Sequence, residues 1–466
     1  MLIRRAELFD TATTVDVRIA DGVIAAIGTL APIAGEETID AAGGLLLPGL
    51  HDHHIHVAAF AASLSSVRCG PPEIADAAAL ADALRRAPGS GWLRGTGYHE
   101  SVAGLPDAAT LDAIVADRPL RIQHRSGRMW LFNSAGLAAI LGGRDPPPGL
   151  EKAGDRFTGR LFEGDAWLRD ALAGRPPCFA AVGRMLANHG VTGLTEISPS
   201  NDAVIARHFA DEMATGALPQ RVLLAGALTL ADAAMAPRLA LGPAKLHLHE
   251  ADLPALDDAA AFVATAHAQG RAVAVHCATE VELLYTLAMF DEAGVAPGDR
   301  IEHASVTPDF ALDEIARRGL AVVTQPHFIA ERGDAYRRDV EIETQPLLYR
   351  LRAFLSAGVT LAAGSDAPFG SANPWAAMTA AVSRRTHEGA ILGAAEALTP
   401  EQALDLFLRD PVALDRRRTI GVGIKADLCL LHRPWREART SLSSDGVRAV
   451  YVDGRRIDDR VDQPPA

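Results

Sequence analysis

The sequence predicts an α/β protein: a (β/α)8 TIM barrel with a small β-sandwich formed by both chain termini and an insertion after the first barrel strand. Three observations point there. Short apolar runs alternate with helix-period segments through the middle of the chain, the pattern of repeated βα units. Both ends read instead as hairpins, and a gap from about residue 60 to 185 is too long for a single crossover.

Taken in order, Leu2–Leu8 and Thr14–Ala20 alternate, Asp21-Gly22 is a hairpin turn signal, and Val23–Gly28 follows. The other terminus repeats the pattern, with the apolar run Asp427–Leu431 and a hairpin from Val447–Val452 through Asp453-Gly454 to Arg455–Ile457. Neither end has enough strands to bury a face alone, so residues 1–47 and 418–460 are expected to pair into one sandwich. Residues 48–417 then hold the barrel. Its strands are expected at His53–Val57, Thr192–Ile197, Arg221–Ala227, Lys245–His249, Ala272–His276, Arg300–His303, Leu320–Thr324 and Thr360–Gly364. Helices are expected at Ala203–Thr215, Ala255–Gln269, Glu280–Glu292, Asp309–Arg318 and Trp375–Glu388. An open doubly wound sheet is the structural rival, but no GxGxxG phosphate loop opens any of these helices.

Composition narrows the partners. The 466 residues include 45 Lys+Arg against 58 Asp+Glu, a formal net charge of −13, which argues against nucleic acid because phosphate binding needs a basic surface. No apolar run approaches the roughly 20 residues of a membrane helix, and MLIRRAELFD lacks the apolar stretch of a signal peptide. Cys69, Cys178, Cys277 and Cys429 lie far apart and form no CxxC pair, so neither a disulfide framework nor a cysteine zinc site is indicated. A cytoplasmic protein acting on a small-molecule substrate is expected. A homo-oligomer stays open, since Trp375–Ser383 reads equally as an interface and as the inner face of a barrel helix.

In a parallel barrel the active site lies at the C-terminal strand ends. His54 and His56, two apart on one strand, present both imidazoles to the same face and offer two neutral nitrogen donors to one ion. His276 ends VAVH, His303 ends RIEH, Asp366 follows AAGS, and Lys245 sits in GPAKLHLHE. A single histidine at a strand end is more often a hydrogen-bonded structural residue than a ligand. Four of them with an aspartate at strand ends make a divalent metal site the better reading. His51, His53, His99 and His124 lack that placement and read as structural or surface groups.

The segments PGLHDHHIH (Pro48–His56), VAVH (Val273–His276), RIEHA (Arg300–Ala304), GSDAPFGSANP (Gly364–Pro374), LTPEQAL (Leu398–Leu404) and KADLCLL (Lys425–Leu431) together resemble the metal-dependent amidohydrolase superfamily. The resemblance is to the branch of YtcJ-like hydrolases and N-substituted formamide deformylase. It implies a barrel holding one or two divalent metals, usually zinc, with His54, His56, His276, His303 and Asp366 as ligands. Lys245 falls where many members carry a lysine carbamate that bridges two metals. An ammonium has no lone pair, whereas its carboxylated form is a bidentate anion; a strand-end lysine reaching solvent is the alternative. Two departures from the branch pattern are its usual Asp-Gly, here His249 and Glu250, and its Asp-Gly-His, here Ser126-Gly127-Arg128.

The expected reaction is hydrolysis of an amide, formamide or N-acyl C–N bond by hydroxide that the metal makes available near neutral pH. Asp366 is expected to accept the water proton and return it to the departing amine, with Glu163 and Glu196 as the next carboxylates. Deamination of a heterocycle on the same site is the alternative; a ligand-binding barrel without catalysis is disfavoured by the intact ligand set. Arg128, Glu163 and His327 are the substrate-side candidates. The planar fork of Arg128 suits a carboxylate, which would mean an acidic substrate such as an N-acyl amino acid. The equal alternative is that Arg128 pairs with Glu163 and fastens the insertion. His327, in TQPHF, is a candidate donor to the substrate or an oxyanion.

Overall fold

A computed structural model of the chain describes residues 1–459 apart from 12, 72 and 173–176. It forms two compact units, Met1–Val57 with Cys178–Ala466, and Ala58–Pro177.

The first unit contains the barrel. Its strands are Leu50–Ile55, Val191–Glu196, Arg221–Gly226, Leu239–Leu246, Val273–Cys277, Arg300–His303, Ala321–Thr324 and Leu361–Ala363, each paired in parallel with the next. Nearly every position in them is buried, as in parallel sheets covered on both faces, and this is why they read as unbroken apolar runs. Among the described residues no ladder joins the first strand to the last. The gap closes just beyond their ends, where Asp366 N donates to His54 O (2.7 Å), His56 N to Ala367 O (2.9 Å) and Ser365 N to the Asp52 carboxylate (2.9 Å). Gly364 permits this approach, because a Cβ there would lie 2.3 Å from the His54 backbone nitrogen.

Three expected elements fall elsewhere. The first barrel strand is Leu50–Ile55 rather than His53–Val57, so His56 lies just past its end. The helix expected over Trp375–Glu388 is Pro374–Ser383: the buried Arg384 turns left-handed at φ +52° and donates to the carbonyls of Leu392, Tyr349 and Leu348. Along it Trp375, Ala377, Met378, Ala380 and Ala381 are buried within the chain itself. The fourth strand is Leu239–Leu246 rather than Lys245–His249. His247 and His249 therefore lie beyond it and do not continue the alternation of Lys245.

Both termini build one mixed sheet. Leu45–Pro48 runs parallel to Leu2–Leu8 and antiparallel to Leu428–Leu431, which pairs with Val447–Val452. Its apolar face gathers Ile3, Val17, Ile24, Leu46, Leu428 and Leu430, each such aliphatic side chain contributing about 1.5–3 kcal/mol on burial. The second unit has its own sheet, in spatial order Leu150–Ala153, Arg156–Phe162, Met129–Phe132, Leu120–His124, Leu93–Tyr98 and Val67–Arg68, over a core that includes Leu80, Leu84, Tyr98 and Ile122. Among the described residues no helix is long and apolar enough to cross a membrane.

Candidate metal centre

His54 is the penultimate residue of the first barrel strand and His56 follows its end. Asp366 lies just beyond the eighth strand at φ +53°, and His303 ends the sixth at φ +69°. Left-handed backbone at a non-glycine residue costs on the order of 1–3 kcal/mol and persists only where the surroundings enforce it. One donor atom from each of His54, His56 and Asp366 lies within 4.8 Å of the others. Asp366 Oδ1 is 3.4 Å from His54 Nε2 and 3.3 Å from His56 Nε2.

The rings are held from behind. His54 Nδ1 donates to Glu302 Oε2 (2.6 Å), His56 Nδ1 shares a hydrogen bond with Ser198 Oγ (2.9 Å), and His303 Nδ1 donates to Gln325 Oε1 (2.7 Å). A histidine fastened through Nδ1–H keeps its Nε2 lone pair for an ion, and the outer partner fixes the ring's angle and basicity. His54 Nε2 is buried without a hydrogen bond. That orphaned nitrogen, beside a second imidazole and a carboxylate, fits a divalent cation.

The electrostatics favour deprotonated donors at His276, His303 and Asp366, and the protonated form at His54. Burial pushes His303 down to about 3 and His276 further still. Burial alone would raise Asp366, but the neighbouring His54 and His56 rings hold it well below the carboxylate range. Glu302 is likewise kept low against its burial by Arg300, His54 and Lys245, and Arg300 Nε donates to its Oε1 at 2.6 Å. Burial lowers His54, yet Glu302 and Asp366 more than reverse this, so the ring sits in a field that favours positive charge.

Of the other expected residues, His303 and His276 lie beside this core. The His303 ring lies 4.7 Å from that of His54 and 4.6 Å from that of His276, though neither His276 nor His303 joins the 4.8 Å donor group. Lys245, next to last in the fourth strand, is buried with no partner for Nζ, and burial pushes it down to about 8. His327 is buried and donates through Nε2 to Ser365 O (3.0 Å), which commits that nitrogen to the loop carrying Asp366. Glu196 is occupied by the backbone N–H groups of Val57 and Ser198 and by Asn201. In the second unit Arg128 pairs with Glu163, both exposed, and the Glu163 N–H bonds Arg128 O (2.9 Å). Sequence reasoning missed Glu302, Gln325, Ser198 and Asp52. A charged residue inside the apolar strand RIEH was the available signal for Glu302.

The chain matches the model of the amidohydrolase family over residues 37–458. It belongs to that family. This amidohydrolase is 26% identical to N-substituted formamide deformylase of Arthrobacter pascens across 94% of each chain, and 25% identical to the putative amidohydrolase YtcJ of Bacillus subtilis across 89% of this chain and 90% of that one. Its fold is that of a metal-dependent hydrolase of Pyrococcus horikoshii, with a TM-score of 0.77 at 21% identity, covering 93% of this chain and 97% of the other. The chain is thus an amidohydrolase by family, and among the described residues His54, His56 and Asp366 form a group that could hold a metal ion.

Proposed function

We propose that this amidohydrolase cleaves the C–N bond of a small amide, formamide or N-acyl compound at the centre formed by His54, His56 and Asp366. The observation that carries the reading is the cluster of three donors, one of them a buried imidazole nitrogen without a hydrogen bond. A divalent ion bound there, zinc in the first place, supplies an acidified water and polarises a carbonyl. The chain's own groups do the rest. Asp366, kept as carboxylate, accepts the water proton through one oxygen and returns it to the departing amine. Glu302, Ser198 and Gln325 hold the three imidazoles in one tautomer and angle. We extend the centre to His276, His303 and a carboxylated Lys245 as holders of a second ion, supported by the buried, unpartnered Nζ. A cytoplasmic setting accords with the absence of a disulfide among Cys69, Cys178, Cys277 and Cys429.

The test is a screen of zinc-loaded enzyme against formamides first, given the relative named for them, then N-acyl amino acids, dipeptides, cyclic ureas and heterocyclic amines. Release of free amine, abolished by chelation and restored by metal, is the expected result. Ammonia from the heterocyclic amines alone would favour the deaminase reading instead.

A further inference from the structure

Six imidazoles line the barrel mouth in a continuous arc. Ring centroids run from His56 to His54 at 5.4 Å, to His303 at 4.7 Å, to His276 at 4.6 Å, to His247 at 4.3 Å and to His249 at 4.8 Å. The first four have a place in the centre described above. The last two do not.

His247 and His249 lie just past the fourth strand and are exposed, whereas Leu248 between them is fully buried and pins the segment. Immediately after them Glu250 N donates to the buried carboxylate of Glu282 at 2.9 Å, which fixes the backbone on the other side. The rings are positioned by contact with each other and with His276, tilted 34° on the latter, and neither makes a hydrogen bond among the described residues. The arrangement is two N–H donors on a held backbone beside the metal centre, with little ordering left to lose on binding.

Among the buried charged groups around the centre, Asp52, Glu196, Asp366 and Glu302 exceed Arg300 and Lys245 by two, so a divalent ion brings the sum to zero. Carboxylation of Lys245 removes two units of charge and a second divalent ion restores them. What favours an anion is the pair of N–H donors, because a hydrogen bond to a charged oxygen is stronger than one to a neutral carbonyl. The rival cation, Arg128, has its charge met by Glu163.

We propose that His247 and His249 form a subsite for a carboxylate of the substrate, so that the enzyme prefers N-acyl amino acids to their neutral carboxamides. The proposal rests on the amide-hydrolase reading above. It is tested with the N-acetyl and N-formyl derivatives of glycine, leucine and phenylalanine, each as acid and as carboxamide, on zinc-loaded enzyme. His247→Ala and His249→Ala should each raise KM for the acids by about 10- to 100-fold, the range open to one charged hydrogen bond. They should leave kcat, metal content and KM for the carboxamides close to wild type. His247→Asn, which keeps an N–H, should recover part of the loss. Equal changes on acid and carboxamide, or none on either, overturn the subsite and leave the hydrolase reading standing. Calorimetric binding of the same N-acetyl acids to the zinc-loaded protein separates the converse case. If no C–N bond is cleaved but acids bind and His247→Ala weakens them by at least tenfold, the hydrolase reading falls and the subsite stands.

Discussion

Where the first barrel strand meets the eighth, every donor is held from within the chain. Glu302 fixes His54, Ser198 fixes His56, and Asp52 accepts from both His54 N (3.1 Å) and Ser365 N (2.9 Å), tying the two strands that carry the donors. Across the mouth, at the fourth and fifth strands, Lys245 Nζ is buried without a partner, His276 makes no hydrogen bond among the described residues, and His247 and His249 are exposed. The two sides draw their order from different sources. One is braced by side-chain hydrogen bonds, and the other has a held backbone whose side chains lack such partners. A site divided in this way pairs rigid donors with adjustable side chains.

The largest expected effect is on the rigid side. Asp366→Asn should lower kcat by about 10²–10⁴-fold, and near-wild-type turnover would move the proton transfer elsewhere. Next comes the support behind it: Glu302→Gln weakens the anchor on His54 Nδ1 and should cut metal affinity about 10- to 100-fold, read by competition with a chelator. Lys245→Ala tests the division itself. With carboxylated Lys245 on the adjustable side, the variant should drop from about two equivalents of metal to one by elemental analysis. Loss of all metal would mean the two sides form a single unit.

The smallest effect calibrates the others on a carboxylate remote from metal chemistry. Asp16 in the terminal sheet accepts from Leu30 N (3.0 Å) and Arg5 N (2.9 Å), and the Leu30 bond foremost, over an opposing effect of burial, holds its pKa below the usual carboxylate range. A depressed pKa stabilises the fold above the unfolded value near 4, and the contribution is lost as pH falls through the folded value. Asp16→Asn should therefore cost about 1–2 kcal/mol at pH 7, with the difference in Tm from wild type shrinking as the pH falls below about 4. Metal content should not change.

The rigid side was largely legible because its signals are local. Alternation predicts a shared face for His54 and His56, although the strand ends at Ile55 between them, and the run into GSD puts Asp366 just past a strand end. What supports them was not legible, because it spans the chain: His54 and Glu302 are 248 residues apart. On the adjustable side even the strand was misjudged, since Gly242-Pro243 in the middle of Leu239–Leu246 reads as a break and shifts the apparent start to Lys245. The helix end at Arg384 was hidden for a related reason. An arginine in left-handed conformation leaves no glycine to announce the stop, and only its three carbonyl partners explain it. For Arg128 the sequence offered two equal roles, and its pairing with Glu163 was one of them.

The shared terminal sheet carries a consequence for synthesis. Leu45–Pro48, buried at all four positions, has Leu428–Leu431 as one neighbour, some 380 residues later in the chain. At about 5–20 residues per second a ribosome needs on the order of 20–80 s to deliver that partner. During the interval the nascent chain presents a leucine-rich strand edge open to pairing with other chains, which makes chaperone cover more important early in translation than late. A shortened chain ending before Leu428 would retain every proposed metal ligand and still be aggregation-prone, because the strand that leads directly into His54 and His56 would lack its neighbour.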